Sequence, residues 1–215
     1  GDGFDSIRSV QALAKDAINS SIRRILQDGQ EWPFIKTTTT QTLQVGVTTY
    51  SFPADYSSSD WDTFYIKQLS SQGNTPAVLQ PMPYEEYTQS HRSTDDTAPA
   101  TGLGAPTKVF QTYGTSFGVT PVPDATYEVE YVYWSTPASL SLFDDVSVIP
   151  ERFSHVVIDG AMMYMMQFRS NNQSAQMHQN AFETGIQAMR NVLMDDTFQM
   201  RSTYVVKSRQ RSGIA

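Results

Sequence analysis

The sequence contains no cysteine, which removes disulfides, thiolate nucleophiles, zinc ribbons and iron-sulfur clusters from its chemistry. It also has no run approaching the roughly 20 apolar residues a membrane helix needs. The N-terminus shows no basic stretch followed by an apolar one, so a soluble, unexported chain without membrane partners is expected. Histidine is scarce: His91, His155 and His178 show neither H-E-x-x-H nor another ligand spacing, and each reads as a surface or partly buried structural residue. The acids Asp55, Asp60 and Asp62 lack the glycine and distant glutamate of a calcium loop and read as a solvated turn. No metal, no cofactor and no catalytic residue is expected.

One catalytic pattern does occur. Gly114-Thr115-Ser116-Phe117-Gly118 matches the G-x-S-x-G nucleophile elbow, but Val119, Pro121 and Pro123 follow where the elbow requires a helix. A hairpin turn is the better reading. Gly102-Leu103-Gly104 is likewise followed by Pro106 and a strand pattern, unlike a phosphate-binding loop.

With 215 residues the chain is long enough to bury about 70 % of its unfolded surface without a metal or disulfide. Charge is uneven. Residues 198–215 hold Arg201, Lys207, Arg209 and Arg211 and no acid, a charge of +4, so the formal total of -7 leaves -11 on residues 1–197. An acidic body repels phosphate backbones and argues against a general nucleic-acid binder.

From Asp5, which caps it, to Gly29, which ends it, Ile7, Val10, Leu13, Ala17, Ile18, Ile22 and Ile25 recur at helical spacing. This stripe has no nearby partner, because Pro33 and Thr37 to Thr40 change the character of the chain. Between Phe34 and Val148 the pattern predicts seven strands: Lys36 to Val45, Thr48 to Phe52, Thr63 to Leu69, Ala77 to Gln80, Thr107 to Tyr113, Ser116 to Thr120 and Tyr127 to Trp134. A short helix is expected over Tyr84 to His91, then a loop over Ser93 to Gly104. Helical periodicity returns after Pro150 through Phe168, breaks at Ser170 to Gln173, and resumes through Leu193. The expected fold class is α+β. A helical bundle (1–33 and 148–197) is split by an inserted antiparallel β sandwich or barrel (34–147), and an extended basic arm follows over 198–215.

Ala161-Met162-Met163-Tyr164-Met165-Met166 lies on a helix apolar nearly all round, which needs cover on more than one side. Either it is the central helix of its own bundle, or one face meets a neighbouring subunit, with Met163 and Met166 as interface candidates. In the arm, Tyr204, Val205 and Val206 have strand propensity without a local partner. Together with Lys207, Arg209 and Arg211 they form a candidate docking segment for a portal or neighbouring subunit. Fraying and a DNA-binding arm are the other readings of this segment.

In chain order the sequence carries Trp32-x-Phe34, Tyr50-x-Phe52-Pro53-x-Asp55, Gly104-Ala105-Pro106, Val119-x-Pro121-x-Pro123-Asp124-x-x-Tyr127, Tyr131 to Pro137 and Ile149-Pro150-x-x-Phe153. This succession resembles the head-to-tail adaptors of short-tailed phages, of the tail tubular protein A type. The likeness departs at Phe52 and Phe110, where leucine and tyrosine are expected. It implies a virion protein of the phage neck, assembled in the host cytoplasm as a dodecameric ring. Its helical part would dock on the portal protein and its β part would face the tail nozzle or tubular protein. Double-stranded DNA would pass through the lumen without sequence-specific binding. Two alternatives come from other classes. One is a carbohydrate- or receptor-binding tail protein using Trp61, Tyr65, Tyr84 and Tyr87; the other is a hydrolase centred on Ser116.

Overall fold

The structure, a computed structural model, describes residues 9–28, 31–67, 76–97, 102–112, 114–142 and 144–201. Contacts divide the chain into two compact units. One is drawn from both ends, Gly1–Phe34 with Ala138–Ala215, and the other from the middle, Ile35–Pro137. The chain is thus mixed α and β.

The helical unit holds three long helices: α1 (Ser9–Leu26), α4 (Ser154–Phe168) and α5 (Asn172–Arg201). The partner that α1 lacks locally is α4, which packs against both α1 and α5. Ala17, Ile22 and Ile25 of α1 are buried, and the polar Asn19 and Ser21 are buried with them. Such groups need partners when desolvated. Ser21 Oγ donates to the Val157 carbonyl at 3.1 Å. The Asn19 carboxamide clamps the backbone of Leu140, donating to its carbonyl at 3.0 Å and accepting from its N–H at 2.9 Å. At the end of α1 the Trp32 indole N–H donates to the Ile25 carbonyl at 3.0 Å, which otherwise receives, among the described residues, only the long 3.4 Å bond from the Asp28 N–H.

Pro150 precedes a short 3-10 turn, Glu151–Phe153, that leads into α4. The helix stops at Ser170, whose φ of 57° reverses the chain, while the Asn171 N–H bonds to the Met166 carbonyl at 3.0 Å. The Asn171 side chain then accepts the Ser174 N–H at 3.3 Å and starts α5. This helix continues to Arg201, so residues 198–201 of the expected extended arm are helical. The docking candidates Tyr204, Val205, Val206, Lys207, Arg209 and Arg211 lie outside the described residues, as do Asp5 and Gly29.

The middle unit contains β1 (Lys36–Leu43), β2 (Thr49–Ser51), β3 (Tyr56–Ser59), β4 (Tyr65–Ile66), β5 (Ala77–Val78), β6 (Gln80–Met82), β7 (Leu103–Gly104), β8 (Lys108–Gln111), β9 (Ser116–Thr120), β10 (Val122–Pro123) and β11 (Tyr127–Ser135). Two short helices, α2 (Tyr84–Ser90) and α3 (Arg92–Asp96), lie between β6 and β7. Strands β1-β11-β4-β5 form one sheet, with β3 also on β11; β2-β9-β8-β6 form a second; β7 and β10 pair alone. Three expectations need correction. None of these sheets closes into a barrel. The pairs β6/β8 and β7/β10 are parallel, so the unit is mixed and not wholly antiparallel. The expected loop Ser93 to Gly104 contains most of α3 and all of β7.

Strand β11 organises the unit. It pairs with all of β1, from Lys36 opposite Trp134 to Leu43 opposite Tyr127. Its Tyr127, Val129, Tyr131 and Tyr133 are buried, alternating with less buried neighbours at the period of a strand. They join Leu43, Phe64 and Ile66 of their own sheet region and Val109, Phe117 and Val119 of the other sheet in one core.

The middle unit is rich in buried tyrosine: burial pushes the hydroxyl of Tyr127 in this core, and that of Tyr87 in a smaller cluster with Met82 and Phe110, up to about 12. Burial raises Tyr131 further in the same direction. The folded state therefore holds these protons more tightly than the unfolded chain, whose tyrosines titrate near about 10. Their contribution is complete below pH 10 and is lost as pH rises from about 10 towards 12. In urea titrations followed at pH 9 and pH 11.5, the middle unit should unfold at a lower concentration at the higher pH, with tyrosinate absorbance appearing together with unfolding.

Candidate docking surface on the helical unit

Helix α4 carries two apolar stripes. Val156, Gly160 and Met163, at spacings of four and three, are buried and face the helices on either side. Gly160 is a point of close approach: a Cβ there would collide with Ser21 Oγ on α1 and stand 2.7 Å from the Phe182 ring on α5. The second stripe, Ile158, Met162, Met165 and Met166, runs beside Ala14 and Ile18 of α1 and lines a groove of about 460 Å³ with Arg169 at its edge. The groove wall is almost wholly apolar. Ile158 is 59 % exposed, leaving unclaimed much of the roughly 1.5–3 kcal/mol that full burial of such a side chain contributes. A contiguous apolar surface rimmed by polar groups marks an interaction site.

The two methionines singled out from the sequence do not share this surface. Met166 lines the groove. Met163 is 7 % exposed and lines a polar cavity on the other side, with Phe182 and the paired Asp28 and Arg190. That ion pair ties the chain after α1 to α5, and His178 Nδ1 lies 3.0 Å from Asp159 Oδ1, tying α5 to α4. Ile158, Met162 and Met165 were not singled out beforehand. Their spacing of four and three, continued by Met166, was the available signal, but only the position of α1 shows which stripe it leaves open.

The remaining sequence candidates are scattered. Ser116 begins strand β9 opposite Ser51 of β2, and the strand continues to Thr120, so the G-x-S-x-G pattern lies in a sheet and forms no strand-to-helix elbow. His155 is exposed, and His91 Nε2 lies 3.3 Å from Lys108 Nζ. The Asp55 carboxylate accepts the Tyr133 hydroxyl at 3.1 Å and Asp60 pairs with Lys36 at 3.3 Å. Among the described residues no group of three or more acids and histidines is placed to hold a metal, and no helix is long and apolar enough to cross a membrane. Of the four aromatic candidates for a sugar platform, Trp61 and Tyr84 line one cleft. Tyr87 is buried in a stack on Phe110, with ring centroids 3.8 Å apart, and Tyr65 belongs to β4 outside the cleft.

Compared with known families, residues 3–208 match the model of the SU10 adaptor protein family. Among curated proteins no match is found.

Proposed function

The chain belongs to the SU10 adaptor protein family, which makes it a phage adaptor protein, and from that membership we propose that it is one subunit of a ring joining the portal to the tail. In this reading twelve copies form the ring, of the tail tubular protein A type found in short-tailed phages. The helical part docks on the portal protein, and the β part, a sandwich inserted into a helical bundle, faces the tail nozzle. The ring sits at the neck of the virion and assembles in the host cytoplasm. DNA passes through its lumen during ejection without sequence-specific contacts. The protein contributes no catalytic step. The basic segment with Tyr204, Val205, Val206, Lys207, Arg209 and Arg211 adds a docking strand to the portal or a neighbour.

The observation that carries this reading is the apolar groove of α1 and α4, lined by Ile158, Met162, Met165 and Met166. A structural subunit needs such a surface and an isolated enzyme does not. The acidic body suits a channel that must not hold DNA, since fixed cations would bind each passing phosphate. The test is negative-stain microscopy of the purified chain mixed with its portal, where a ring capping the portal is expected. Met166→Asp should abolish that ring while moving the melting temperature by only a few degrees, because the side chain is half-buried at an open groove. Met163→Asp places a charge in a closed position and should lower the melting temperature strongly. Wild-type assembly by Met166→Asp would remove the groove from the docking surface, and absence of any ring with the wild-type chain would overturn the ring reading.

A further inference from the structure

The geometry points to a saccharide-binding site in the middle unit: the Trp61–Tyr84 cleft takes a neutral pyranose ring, independently of any docking by the helical unit. The cleft is about 670 Å³ and its walls include Trp61, Tyr84, Glu85, Gln111 and Thr112. That volume lies within the range of small-ligand sites and admits a disaccharide.

A pyranose presents an apolar face of axial C–H bonds and an edge of hydroxyl groups. It is recognised by an aromatic ring beneath the face and by planar polar side chains along the edge. Both are here, and the aromatic part is held in advance. The Trp61 indole lies parallel to Phe64, with centroids 5.3 Å apart and planes 8° apart, and it takes the ring of Phe52 at 76°. Tyr84 is buttressed by Tyr87 at 6.0 Å and Phe110 at 6.1 Å. Rings fixed before the ligand arrives lose little further freedom on binding.

The polar part is complementary in type. The Glu85 carboxylate accepts, the Gln111 carboxamide both donates and accepts, and both residues are exposed. The Thr112 hydroxyl is buried without a hydrogen-bond partner among the described residues, an arrangement that a ligand hydroxyl reached by side-chain rotation would relieve. Charge selects among sugars. Residues 35–137 hold four Lys and Arg against ten Asp and Glu, a net charge of -6, and Glu85 is at the wall. An acidic sugar is therefore repelled and a neutral one is not.

The full-length chain is titrated with lactose, cellobiose and methyl β-glucuronide by calorimetry and saturation-transfer NMR. Saturable millimolar binding of at least one disaccharide is expected, with the glucuronide at least tenfold weaker. Gln111→Ala should weaken disaccharide binding at least fivefold, Trp61→Ala should abolish it, and Tyr65→Ala, outside the cleft, should leave it unchanged. Trp61 also packs on the core, so should Trp61→Ala fail to fold, Gln111→Ala decides. Three results overturn the assignment: no saturable binding of either disaccharide, wild-type affinity in Gln111→Ala, or equal affinity for the glucuronide. None of these results bears on ring assembly, which microscopy reads separately.

Discussion

Phe117→Ala is expected to cost about 3–5 kcal/mol, a loss that removes about a fifth or more of the stability of an ordinary domain. Phe117 is fully buried and touches four other rings: Tyr50 at 5.7 Å, Phe52 at 5.0 Å, Phe64 at 5.3 Å and Tyr131 at 5.5 Å between centroids. Each such pair contributes about 0.5–1.5 kcal/mol beyond the area it buries. The neighbours cannot close the gap easily, because Tyr50 on β2 and Tyr131 on β11 are held by strand pairing in the two larger sheets, and Phe52 and Phe64 directly adjoin strands β2 and β4. Tyr50 is further pinned by its hydroxyl, which donates to the Val47 carbonyl at 2.8 Å and accepts the Gln44 N–H at 2.9 Å. Chemical denaturation should show a lowered midpoint with an unchanged slope. The control is Phe168→Ala on the helical unit, where a ring 68 % exposed should cost well under about 1 kcal/mol. A Phe117→Ala loss below about 1.5 kcal/mol would show that the core repacks freely, against the density expected of a protein interior.

The second large effect runs against helix propensity. Alanine is favoured over glycine in a helix interior by about 1 kcal/mol, so Gly160→Ala would stabilise α4 if nothing stood beside it. Ser21 Oγ and the Phe182 ring stand there, inside the space a Cβ needs, and Phe182 is 2 % exposed. The substitution must push α1 and α5 away from α4 and stretch the bond from Ser21 to Val157. Overpacking of this kind costs about 1–3 kcal/mol, and Gly160→Leu should cost more. Thermal unfolding followed by helical circular dichroism checks it: Gly160→Ala should melt lower than the wild type, and Phe182→Leu added to it should recover part of the loss. A higher melting temperature for Gly160→Ala would mean the three helices do not approach as closely as described.

What could be read from the sequence, and what could not, follows from the range of each signal. The stripe of α1 and the alternation of β11 are periodic over many residues, so each element and its buried face were legible. The stripe of α1 has no partner nearby in sequence, and in the structure it packs on α4, one of the two long helices downstream. Strand β3, Tyr-Ser-Ser-Ser, has no apolar pattern and exists because β11 offers it a partner, Ser59 lying opposite Tyr133. The two-residue strands β4, β5, β7 and β10 are shorter than any period. Helix α3 is a polar turn-and-a-bit that carries on from α2, its Asp95 N–H bonding to the His91 carbonyl at 3.0 Å. The parallel partnership of β6 and β8 depends on residues nearly thirty positions apart, which no local pattern encodes. Met163 and Met166 differ by three residues, so a helical projection puts them about 60° apart. With apolar residues all round α4, only the placement of α1 and α5 decides which one is enclosed.

The origin of the helical unit from both ends of the chain also sets an order of events during synthesis. The strands of the middle unit are contiguous in sequence and complete once Pro137 has emerged, whereas α1 must wait for α4, which starts at Ser154. At about 5–20 residues per second, the roughly 130 residues between the two helices take about 6–25 s to make. For that interval Ala17, Ile22 and Ile25 remain uncovered on a nascent chain. Host factors that screen emerging apolar segments therefore have that interval in which to engage α1, and slowing translation before Ser154 should lengthen it while leaving the middle unit already formed.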